Sequence, residues 1–216
     1  MKNKPFMPIA LVAFTLTYIA VASISALVNG NKEFVIYIGV MVVLISAVCV
    51  VHKRSGLSTG LLWLLTIWGL LHMAGGLVPI PEAWPYNGPH SVLYSLWLIP
   101  DKLKYDQVVH AYGFAVTTWL CWEALKKGLL LRYGQELEPT TGVIVLCAAA
   151  GMGFGAFNEV VEFSATQLLE STNVGGYVNT GWDLVYNMLG AIIAAIVIRV
   201  AGRRGKQSAT PVQAIP

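Results

Sequence analysis

Charge is what this chain has least of. Only 12% of its 216 residues are Asp, Glu, Lys or Arg, against about 25% in an ordinary soluble domain. That excludes a disordered chain, which must solvate itself with charge, and argues against a soluble enzyme. The net charge is only +3, and the positives sit at segment ends. A nucleic-acid partner would need a clustered basic patch, so none is expected. Cysteine is equally sparse. Cys49, Cys121 and Cys147 lie in apolar stretches and form no CxxC. They read as small packed side chains rather than a disulfide framework. Also missing are internal repeats, HExxH, a PSGH-like phosphatase motif and a Ser-His-Asp order.

What the chain does have is apolar length. Hydrophobic residues make up 56%, and the mean hydropathy is +0.65. A membrane-spanning helix needs about 20 mostly apolar residues. Six stretches meet that need, near 8–28, 34–51, 57–78, 105–125, 141–169 and 182–200. The fold class expected is an all-α, polytopic transmembrane helix bundle of six spans in a single domain. Lys2 and Lys4 precede the first stretch as in a signal peptide. Its apolar run exceeds a signal core of about 7–15 residues, and no A-x-A site closes it, so it reads as an uncleaved anchor.

Lys and Arg set the orientation. Lys2, Lys4, Lys53, Arg54, Lys126, Lys127, Arg132, Arg199, Arg203, Arg204 and Lys206 fall on one side, and Lys32, Lys102 and Lys104 on the other. Positive residues stay cytoplasmic, which places both the N- and C-termini there. The 79–104 segment is then external. Its Trp84, Tyr86, Tyr94 and Trp97 suit the membrane interface, and Ser91 to Ile99 reads as a short interfacial helix. A structural lid or belt is the favoured role for it, over substrate binding.

Ionisable residues inside spans are costly and point to a site. The third span holds His72. The fourth holds Asp106 and His110, the fifth Asn158, Glu159 and Glu162, and the sixth Asp183 and Asn187. Spacings of three or four residues put each pair on one helix face, and Gly190 continues the last stripe. At 1.5 Å per residue, His72, His110 and Glu162 each lie about 8–10 Å below the outer surface. Asp106 and Asp183 lie near the rim, and Glu159 one turn lower than Glu162. Four helices thus place polar groups in one outer layer. The bland alternatives are a backbone-bonded His72, a helix-capping Asp183 and an interhelical contact at Asn187. They are weakest for Glu159 and Glu162, which repel unless a cation or proton separates them. The GMGFG run before them reads as a close helix approach.

LHMAGG at 71–76, YDQVVHAYG at 105–113, NEVVEF at 158–163 and NTGWDLVYNMLGA at 179–191 resemble the VanZ-like membrane proteins, more closely the YjdF-type bacterial inner-membrane proteins. The resemblance covers about residues 60 to 195. It implies a bacterial envelope protein and picks out Asp106, His110, Glu159, Glu162, Asp183 and Asn187, without supplying a substrate. Two positions depart from the VanZ pattern: Gln107 replaces a Lys and Glu162 a Gln, making the site more acidic.

Two functions compete. The first is a metal-dependent membrane enzyme that hydrolyses or transfers a lipid-linked or envelope substrate. Its His72, Asp106, His110, Glu162 and Asp183 would hold Zn, Mn or Fe. Glu159 would be the catalytic base, and Asn187 and His90 would bind substrate. The second is a non-enzymatic ligand-binding or accessory membrane protein with a structural polar network. Proton-coupled transport fits less well, because the inner halves of the spans are apolar.

Overall fold

The protein is seen here as a computed structural model that describes residues 7–208, with side chains through residue 202. The expectations for Lys2, Lys4, Arg203, Arg204, Lys206 and both termini therefore lie outside the described residues. Six long helices carry the described chain: α1 Ile9–Val28, α2 Lys32–Ser55, α3 Thr59–Leu77, α4 Tyr105–Tyr133, α5 Thr141–Leu168 and α6 Tyr177–Ser208.

Local chemistry sets their ends. Phe34 N–H donates to the Asn31 side chain, opening α2. The Ser58 and Thr140 hydroxyls accept in the same way for α3 and α5. Lys104 N–H donates to Gln107 Oε1 (2.9 Å), so Gln107 is half of a capping box at the start of α4. Gly56 and Gly134 close α2 and α4 in the left-handed conformation (φ 65° and 66°), which other residues adopt at a cost.

Five of these helices are long and apolar enough to cross a membrane: α1, α2, α3, α5 and α6 through Gly202. Large apolar side chains point outward along them, such as Leu27 at 70% exposure and Leu146 at 69%. Such faces suit hydrocarbon and would be an aggregation liability in water. α4 is long enough but too polar to join that group. It packs against α2, α3, α5 and α6, and its Asp106, Gln107, His110 and Glu123 are buried there. Near its far end the buried Glu123 accepts from the Ser58 hydroxyl (2.9 Å) and pairs with Lys127 (2.8 Å). Lys127 also donates to Gly56 O (2.6 Å), tying α4 to the turn between α2 and α3.

Two expectations need correction. Ser91 to Ile99 is not a helix. It holds a 3-10 turn, Leu93–Ser95, and then β1, Trp97–Ile99, antiparallel to β2, Leu103–Lys104. The intervening turn has Asp101 at φ 56°. Pro100 ends the first strand, and Trp97 N–H is spent on Pro85 O rather than on a helical partner. Secondly, α6 begins at Tyr177, not near Trp182. Hydropathy marks the apolar part of a helix, and the extra turn, Tyr177–Gly181, carries Asn179 and Thr180. In α1, the Thr15, Thr17 and Ser23 hydroxyls donate to carbonyls one turn back, which leaves no polar group free there for function.

Candidate functional site

The site forms where α4, α5 and α6 meet beneath the β hairpin. Small residues let them close. A Cβ on Gly190 would press on the Ala111 carbonyl of α4, and one on Gly155 would lie 2.8–2.9 Å from Asn187. This approach brings the stripes of α4 and α6 together. His110 Nδ1 lies 2.9 Å from Asn187 Oδ1. A carbonyl oxygen only accepts, so Nδ1 carries a hydrogen toward Asn187. Nε2 faces Asp106 Oδ1 at 3.4 Å. On the other side of the ring, Glu159 Oε1 is 3.7 Å from Nδ1.

One imidazole thus stands between two carboxylate pairs. Ligand atoms of Asp106, His110 and Asp183 all lie within 4.8 Å of one another, as do those of His110, Glu159 and Glu162. Asp183 and Asn187 are each only 1% exposed. Asn179 donates to Asp183 Oδ2 (2.6 Å), and Asn158 donates to Glu162 Oε1 (2.8 Å). Other polar atoms go without. Both Glu159 oxygens, Asp183 Oδ1 and Asn187 Nδ2 are buried with no hydrogen-bond partner among the described residues. An unpaired buried carboxylate oxygen costs about 1–3 kcal/mol or more.

His72 takes a different place. It lines one cavity with Asp106 and Glu162, but stands outside both close ligand groups. Its Nδ1 is hydrogen-bonded to the Tyr94 hydroxyl of the external segment. Burial lifts the Tyr94 phenol well above its ordinary range, so that hydroxyl stays protonated. His90 is exposed and lines a separate external cavity with Glu33, away from His110. The depth argument placed His72 at the right height, but height says nothing about position around the bundle. Asn187 is buried and its side-chain oxygen lies against His110.

Sequence reasoning missed Asn179 and Lys104. Lys104 Nζ donates to Asn179 Oδ1 (2.9 Å), giving a chain from Lys104 through Asn179 to Asp183. The signal was present: Asn179, Asp183 and Asn187 are successive i,i+4 positions. Glu33 was missed as well. It is buried at the start of α2 and accepts from Asn173 N–H (2.7 Å), fixing the α5–α6 loop.

No curated protein and no solved structure matches the chain. A family model described as "Predicted membrane protein (DUF2238)" matches residues 10–204. That span takes in every helix and all the clustered polar residues, and the chain belongs to this family of membrane proteins.

Proposed function

We propose that this chain is a six-span protein of the bacterial cytoplasmic membrane that binds a divalent metal at Asp106, His110 and Asp183. With the metal it hydrolyses or transfers a lipid-linked or envelope substrate on the outer face. α4 is the sixth span in this reading, shielded from lipid by its neighbours. The motifs that resemble VanZ-like and YjdF-type proteins support the envelope setting.

One observation carries the metal. His110 Nε2 and the Asp106 carboxylate face each other at 3.4 Å. A nitrogen and a carboxylate oxygen at that separation share either a proton or a cation. Two ligands about 2.1 Å from a tetrahedral ion lie about 3.4 Å apart, the same separation. Asp183 Oδ1, buried without a partner, supplies a third donor. Such an ion would lower the pKa of a bound water and give a nucleophile near neutral pH. Glu159, with both oxygens unpartnered, is the base in this scheme. Glu162, held by Asn158, is a reserve ligand or a second acid.

Elemental analysis of gently solubilised protein tests this. The expected result is about one Zn, Mn or Fe per chain, lost in Asp183→Asn and kept in Glu159→Gln. Metal at background in the wild type would overturn it. The four carboxylates around His110 would then favour the second reading: an imidazolium-centred network in a ligand-binding or accessory protein.

The orientation has its own test. Ser171 is exposed in the α5–α6 loop. Ser171→Cys should react with an impermeant maleimide in intact cells. Reaction only after permeabilisation would invert the topology and put the site on the cytoplasmic face.

A further inference from the structure

Cavities in this protein adjoin one another from the external face into the apolar interior. The outermost is a basin of about 600 Å³ beneath the β hairpin, whose lining includes Lys102, Lys104, Asp106, Asn179 and Trp182. Tyr94, Asp106 and Asn179 are shared with a cavity of only about 30 Å³ that also touches His72 and Glu162. His72, Glu162 and Tyr37 are shared in turn with a third, also about 30 Å³, which reaches Met41, Leu44 and Trp68, so a chain passes only if these side chains move. Those last three also line a groove of about 190 Å³ between α1, α2 and α3. The groove's lining is almost wholly apolar, from Leu16 and Tyr18 to Ile45, Val48 and Leu65.

The two ends of this series have opposite chemistry. At the outer end, half-buried Lys104 gives its hydrogen bond to an amide oxygen, not to a carboxylate. Its charge acts on the nearby Asp106 and Asp183 carboxylates as well as on the basin it lines. Lys102 adds a second cation at the exposed rim, beside Asp101. Trp97 and Trp182 line the basin where amphipathic rings meet headgroups. At the inner end, only hydrocarbon fits without a desolvation cost. The junction is lined by Met41, whose unbranched side chain can move aside.

We propose that the ligand is a lipid phosphate. Its phosphate sits in the outer basin against Lys104, beside Asp106 and Asp183, and its hydrocarbon chain runs past Met41 and Leu44 into the groove between α1, α2 and α3. This deepens the reading above by naming the substrate class. It explains why Lys104 is tied through Asn179 to Asp183: the group that fixes the anion also positions a metal ligand. It also accounts for an apolar groove that adjoins the polar site instead of lying apart from it.

The test uses native mass spectrometry of the full chain in neutral detergent, with three probes. Palmitoyl lysophosphatidate has both phosphate and chain, monopalmitoylglycerol the chain alone, and glycerol phosphate the phosphate alone. Lysophosphatidate is expected to bind at least about tenfold more tightly than either, as one charge-assisted contact implies. Lys104→Gln should remove the preference over monopalmitoylglycerol. Leu44→Trp, which fills the junction, should remove the preference over glycerol phosphate. Equal binding of monopalmitoylglycerol, or of glycerol phosphate, to the wild type would overturn the proposal. Should either variant fail to purify, the three-probe comparison on the wild type decides alone. Metal content is measured on the same samples. Lysophosphatidate selectivity without metal would overturn only the metal reading, and metal without selectivity only the lipid-phosphate proposal.

Discussion

His110→Ala is expected to empty the site of metal and to destabilise the bundle by about 3–5 kcal/mol. The size follows from what the imidazole separates. Asp106 lies 3.4 Å from one ring nitrogen and Glu159 3.7 Å from the other. Glu162 and Asp183 complete the two groups. Removing the ring removes the metal ligand and leaves like charges buried together, the costly way to break a buried pair. It also strands Asn187, whose Oδ1 would lose its hydrogen bond while its Nδ2 already has none. Thermal unfolding in detergent and elemental analysis would both report the change. His110→Gln separates the two effects. It restores a donor for Asn187 but coordinates metal poorly, so stability should recover in part while metal stays lost. Metal retained at wild-type level in His110→Ala would remove His110 from the ligand set.

Five of the helices were legible in the sequence because each carries enough apolar length to cross a bilayer, and that property is local. The start of α6 was not, because Asn179 and Thr180 are polar, and the turn they occupy forms outside the apolar run. Ser91 to Ile99 was misread for a related reason. Aromatic residues at an interface suit a helix or a hairpin equally, and only the pairing of Trp97 with Lys104 decides between them. α4 shows the limit of hydropathy: it packs against four other helices yet is not among the five long and apolar enough to cross a membrane.

The site was legible where spacing fixed it. Asp106 with His110, and Asp183 with Asn187, are one turn apart on their helices, and each pair does converge. Cross-helix partners were harder. Nothing local says that Lys104 will meet Asn179, or Glu33 the backbone of Asn173, 140 residues later. His72 and His90 show the converse. Both have suitable chemistry, yet His72, at a suitable height, is engaged by Tyr94, and His90, in the external segment, lines another cavity.

Gly190→Ala should damage the site as much as removing a ligand does, although Gly190 has no polar side chain. An added Cβ would meet the carbonyl oxygen, carbonyl carbon and Cα of Ala111, all backbone atoms of α4. A flexible side chain could swing away from it, but a helix backbone can yield only by moving the whole helix. Overpacking of this kind costs about 1–3 kcal/mol, sometimes more. The displacement falls on the worst place, because Ala111 follows His110 and Gly190 lies three residues from Asn187. Pushing α6 from α4 stretches the His110–Asn187 hydrogen bond and draws Asp183 away from Asp106. Metal content should fall with stability. Gly153→Ala is the control, since a Cβ there has nothing within 4 Å. A helical Gly→Ala change in open space should be neutral or stabilising by about 0.5–1 kcal/mol. If Gly190→Ala matches the wild type in both melting temperature and metal content, α4 and α6 are not held at the separation seen here, and the site does not depend on it.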